Sequence, residues 1–120
     1  MPRLLRRRQR AADPLGTGLW RRLHDDCVTA SRRAPELSTL VEKVRAHAEE
    51  GQRRWPSDSL DVPADEAGRA HYAVLRDVQR AFREVAYRTR LSAVPGSMPA
   101  QDALVADALA HARTLLDEGP

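Results

Sequence analysis

One cysteine, Cys27, stands among 120 residues, so no disulfide can form within the chain and its thiol content gives no reason to place it in an oxidising compartment. Aromatic side chains are almost as scarce, at two Trp, two Tyr and one Phe. A core with so few of them rests on Leu, Val and Ala, whose small side chains let helices approach closely. Lysine is reduced to Lys43 against 19 arginines. GC-rich coding produces that ratio as readily as selection for guanidinium chemistry does, so overall basicity says little by itself. A signal segment needs an apolar stretch of roughly 7 to 15 residues, whereas "QRAADPLGTG" follows the arginines near the start. No transmembrane run and no alternating strand pattern is visible. These absences point to a cytoplasmic chain without a membrane span.

The signatures of several chemistries are missing as well. Carboxylate-bridged metal bundles carry Glu-x-x-His on facing helices, and none of His24, His47, His71 and His111 has an acidic residue three positions before it. The "GTG" at Gly16 to Gly18 is neither a phosphate-loop sequence nor preceded by a strand. Cys27 lies on an apolar helical arc with His24 at its edge, which predicts a small buried thiol and not a nucleophile. The histidines fall one to a predicted helix, and in an idealised bundle His24, His47 and His71 share a height while His111 lies about 10 Å away. Three imidazoles in one layer can ligate zinc, but the expectation is a core histidine at position 71, boundary residues elsewhere and nitrogens that do not converge. No catalytic residue, metal or cofactor is expected.

What is present is, first, a charge asymmetry. Residues 1 to 33 carry nine Arg and three Asp, whereas residues 34 to 120 carry 11 basic and 14 acidic residues. The positive charge is concentrated in the opening "MPRLLRRRQRAADP", where Arg3, Arg6, Arg7, Arg8 and Arg10 have no acidic neighbour before Asp13. Adjacent like charges repel, so residues 1 to 13 are expected to form a disordered basic arm that orders on an anionic surface.

Proline then brackets four segments rich in Ala, Leu, Glu and Arg, and each reads as a helix: about 14–33, 35–55, 63–91 and 99–118. Leu15, Leu19, Trp20, Leu23, Cys27 and Ala30 fall within about 140° of one another on the first. Leu37, Leu40, Val41, Val44, Ala48 and Gly51 line the second. Ala67, His71, Val74, Leu75, Val78, Ala81, Phe82 and Val85 line the third, and Leu104, Val105, Ala108, Leu109, Ala112, Leu115 and Leu116 the fourth. Four amphipathic helices with short connections bury those faces against one another. The expected fold over 14–118 is therefore an all-α, antiparallel (up-down-up-down) four-helix bundle. Leu23, Val44, Leu75, Phe82, Leu109 and Leu115 are expected to be almost fully buried.

The third helix exceeds its neighbours by about 8 residues and is expected to overhang them by about 12 Å, presenting Tyr87, Arg90, Leu91 and Val94. Opposite its apolar face Arg69, Arg76, Arg80, Arg83 and Arg90 form a basic stripe flanked by Tyr72 and Tyr87. A helix-turn-helix reader is disfavoured, because the second helix would be the recognition element and it carries Glu42, Glu49 and Glu50. The function these features fit is a helical protein-protein interaction module, an adaptor or assembly regulator. It docks to an acidic partner through Arg3, Arg6, Arg7, Arg8 and Arg10, with Tyr87, Arg90 and Leu91 as further contacts. A nucleic-acid-associated protein using arm and stripe is the alternative, and a metal-dependent bundle enzyme the second alternative.

Overall fold

In the computed structural model, residues 13–94 and 100–118 are described. They form α1 (Leu19–Arg33), a 3-10 turn (Pro35–Leu40), α2 (Val41–Arg54), α3 (Glu66–Ser92) and α4 (Ala100–Glu118). The chain is all-α, with no strand among the described residues. Residues 1–12, the body of the expected arm, lie outside the described residues.

Two boundaries differ from the periodicity reading by five residues or more. α1 begins at Leu19, five residues later than expected, because Asp13 closes a turn: its carboxylate accepts the Leu15 N–H (3.0 Å) and its carbonyl accepts the Gly16 N–H (3.2 Å). Gly16 has φ +65°, the left-handed region open chiefly to glycine. Leu15 is buried all the same. The first amide of α1 is satisfied from far along the chain, since Leu19 N–H donates to Ser59 O (2.7 Å). At the second boundary, residues 35–40 wind as a 3-10 turn and not as the first turns of α2. Leu37 and Leu40 are three apart, and a three-residue period brings both to one side, where both are buried.

α3 is the spine, 27 residues and therefore about 40 Å long. Its start is capped by Asp65, whose carboxylate accepts the Gly68 N–H (3.2 Å). α1 advances in the same direction beside it: Trp20 packs on His71, and Asp26 is bonded by Gln79 and Arg83 further along. α4 returns along α3, with Gln101 bonded to Arg88 (2.9 Å) and Ala108 and His111 beside Asp77 to Glu84. Lys43 of α2 ties down the far end of α4 through Asp117 (2.6 Å).

The core is built from Leu15, Leu19, Trp20, Leu23, Cys27, Leu37, Leu40, Val44, Leu75, Val78, Phe82 and Val85. Leu23, Val44, Leu75 and Phe82 are buried as expected, none more than 3% exposed. Leu109 and Leu115 are corrected to half-buried, because α4 packs extensively only on α3 and one neighbour cannot surround a leucine. Among the described residues of α4 only Val105 and Ala112 are buried, and Leu104, expected on the apolar face, is exposed.

A dense cluster closes the opposite end of the core. Trp20 is wholly buried, donates its indole N–H to Trp55 O (2.9 Å) and leaves no room for a side chain at Gly51. The His47 and His71 rings stack with centroids 3.7 Å apart, and each Nε2–H donates to the other residue's carbonyl, at 3.3 Å from His47 and 2.7 Å from His71. Burial, with the neighbouring His71 second, holds the His47 imidazole down at about 4.

A candidate binding groove between α1 and α3

Where α1 and α3 run side by side past Asp26, they enclose a groove of about 380 Å³. Asp26, Thr29, Ala30 and Arg33 line it from α1, and Arg83, Ala86, Tyr87 and Arg90 from α3. Both sets follow the spacing i, i+3, i+4, i+7, which places four side chains on one face of a helix. The central residues of the floor are alanines, both buried, so the groove exists because nothing larger fills it.

Its electrostatics are uneven along its length. At the inner end the Asp26 carboxylate accepts from Gln79 (2.6 Å) and Arg83 (3.2 Å), with Arg22 at 3.8 Å. Arg83 is thereby occupied. At the outer end Arg33 and Arg90 are exposed, and no ion-pair partner is recorded for either among the described residues. Tyr87 stands on the rim, 56% exposed. Two exposed guanidiniums, an apolar floor and an aromatic rim are groups that would suit a carboxylate-bearing ligand with an apolar body.

The structure brings together two of the residues singled out in the sequence, Tyr87 and Arg90. Leu91 is half-buried and does not line the groove. Helix 3 is covered along its last turns, where Arg88 meets Gln101 and Ser92 meets Asp102. Arg3, Arg6, Arg7, Arg8 and Arg10 lie outside the described residues. Asp26 and Arg33 belong to the groove without having been marked in the sequence. Their only signal is the shared spacing around Ala30 and Ala86, legible once α1 and α3 are known to be neighbours. Of the basic stripe, Arg76 is bonded to Tyr72 (2.7 Å), Arg80 lies 3.7 Å from Asp77 and Arg83 is held by Asp26.

The other candidate chemistries resolve locally. Cys27 is fully buried, and burial pushes its thiol up to about 12. His24 pairs with its neighbour Asp25 (3.0 Å) and does not join the His47–His71 stack. His111 is exposed. Among the described residues no three His, Cys, Asp or Glu side chains come together as a metal-holding group, and no helix is long and apolar enough to cross a membrane.

One further surface stands out. The segment between α2 and α3, residues 56–65, carries Asp58, Asp61 and Asp65 and exposes Leu60 and Val62, at 57% and 45%. Among known proteins, no family model matches the chain, and neither a curated protein nor a solved structure matches it.

Proposed function

We propose that the protein is a protein-binding module, an adaptor or assembly regulator of the cytoplasm, that takes an acidic segment of a partner into the α1–α3 groove. In this reading the four helices form an antiparallel four-helix bundle acting as a rigid body. The arginines of residues 1–10 add a second, less specific grip on the same partner. The observation that carries the reading is the pair Arg33 and Arg90, exposed at one end of an alanine-floored groove with no acid assigned to them. A hydrogen bond to a charged group contributes about 1.5–3 kcal/mol, so two such contacts distinguish an acidic segment from a neutral one.

A second reading, nucleic-acid association, draws on the exposed arginines spread along α3, among them Arg69 and Arg76. The two readings separate in one titration. Fluorescence anisotropy with a labelled peptide containing Asp and Leu is expected to show binding that Arg33→Gln/Arg90→Gln weakens at least tenfold. Reversing Arg6, Arg7 and Arg8 to Glu is expected to weaken it further without altering the thermal melt. Binding to an unrelated DNA duplex that is tighter, falls steeply with salt and ignores the groove variant would establish the second reading instead.

A further inference from the structure

We propose that the acidic segment taken by the groove is the 56–65 loop of a second copy of this chain, so that the protein associates head to tail. The inference rests on the reading of the groove as a receptor for acidic segments and names its occupant.

The loop has the chemistry the groove lacks. It carries three aspartates and no basic residue. Asp65 is engaged at the start of α3 and with the Trp55 indole (3.0 Å). Asp58 and Asp61 flank Leu60 and lie on the exposed side. Leu60 and Val62 are large apolar side chains left in water, and the groove offers Ala30, Ala86 and the Tyr87 ring. Two carboxylates bracketing an apolar residue thus match two guanidiniums that stand together at one end of an apolar floor.

The loop is also held in shape. Ser59 O accepts from Leu19 N–H (2.7 Å) and from Ser57 Oγ (2.8 Å), and Ser57 N–H donates to Gln52 Oε1 (3.0 Å). A loop already fixed loses little conformational freedom on binding. Those bonds also decide that the contact is between copies. They pin the loop at the start of α1, whereas the outer end of the groove lies at Arg33, 14 residues and therefore about 21 Å along the same helix. The loop cannot reach its own groove. Because groove and loop are different surfaces, the contact is heterologous, and repeated contacts extend into a chain of molecules unless the rotation closes a ring.

Sedimentation velocity of the full chain, from about 1 to 200 μM at low salt, tests this. The expected result is concentration-dependent association that is reversed by roughly 0.5 M NaCl. Arg33→Gln/Arg90→Gln and Asp58→Asn/Asp61→Asn are each expected to be monomeric. Mixed, they are expected to form a one-to-one dimer that grows no further, since each retains one working half. That dimer also shows both variants to be folded, and circular dichroism of each alone provides the check if no dimer appears. Association of the Asp58→Asn/Asp61→Asn variant equal to that of the unaltered chain would overturn the proposal, as would a mixture of well-folded variants that stays monomeric. If the unaltered chain is monomeric throughout yet binds the Asp- and Leu-containing peptide through Arg33 and Arg90, the self-association falls and the groove reading stands. If it binds no such peptide, both fall.

Discussion

The two ends of α3 are held in different ways. At its start Trp20, Trp55, His47 and His71 interlock, and the Trp20 ring leaves no room for a side chain at Gly51, nor do Pro63 and Trp55 at Gly68. Toward its end α3 is covered by α4, whose Leu104 is exposed and whose Leu109, Leu115 and Leu116 are half-buried, and which is tied to the rest of the chain by the bonds of Gln101 to Arg88, Asp102 to Ser92 and Asp117 to Lys43. In the first region side chains from three helices fill the space between them; in the second, α1 and α3 leave an alanine-floored groove and α4 covers α3 from another side. Burial from several sides is what turns an apolar face into a rigid core, since packing contacts are individually small and count only when they surround a side chain.

Truncation breaks the comparison most strongly. Trp20→Ala and Phe82→Ala each remove a fully buried ring and are expected to cost about 3–5 kcal/mol, measured by urea denaturation. Leu109→Ala, at a half-buried position beside Thr89 and Ser92 toward the end of α3, is expected to cost about 1 kcal/mol because less of its surface leaves water. Equal losses at the two ends would erase the distinction.

Gly51→Ala probes the close approach itself. An added Cβ would stand 2.6 Å from the Trp20 ring, and Trp20 has no free space into which to move. The overpacking is expected to cost about 1–3 kcal/mol, more than the gain of up to about 1 kcal/mol from replacing a glycine inside a helix.

Acid acts at the same end. A histidine held at about 4 when folded, against its ordinary 6.5, binds fewer protons folded than unfolded between those values. Its contribution to stability is therefore complete above about pH 6.5 and is lost as pH falls toward 4. His71, stacked on it, disfavours the charged form, while Glu50 favours it. The melting temperature is expected to drop across that window, and His47→Gln, whose amide can still donate to the His71 carbonyl, is expected to flatten the drop.

The smallest effect is an absence of reaction. With its thiol pushed up to about 12 by burial, Cys27 is expected to resist thiol reagents in the folded protein and to react at the rate of unfolding. Hydrogen exchange sharpens the same contrast without any substitution, because amides of α4 are expected to exchange before those of the first half of α3.

The helical character of the chain was legible from its amino acids. The 3.6-residue spacing of α1 and α3 marks the buried face of each from Leu19 to Ala30 and from His71 to Val85, whereas Ala67, placed on the same face, is exposed in the first turn of α3. The same spacing marked a face on α4 that is only half covered, because periodicity states which side of a helix is apolar and not how many neighbours will meet it. The start of α1 was misplaced for a related reason: its first amide is satisfied by Ser59, 40 residues on, and no local pattern announces a distant partner.

The candidate site divides along the same line. Tyr87 and Arg90 could be picked out as exposed residues on the last turns of α3, since their place on its polar face follows from the sequence. That they share a groove with Arg33, and that Arg83 is neutralised by Asp26 while Arg33 and Arg90 are not, was decided only when α1 and α3 packed in parallel past Ala30 and Ala86. Helix faces are set by bonds within three or four residues, and a sequence records those. Which charges end up together depends on contacts across 50 or more residues, such as the one from Asp26 to Gln79, and tertiary packing alone brings those into reach.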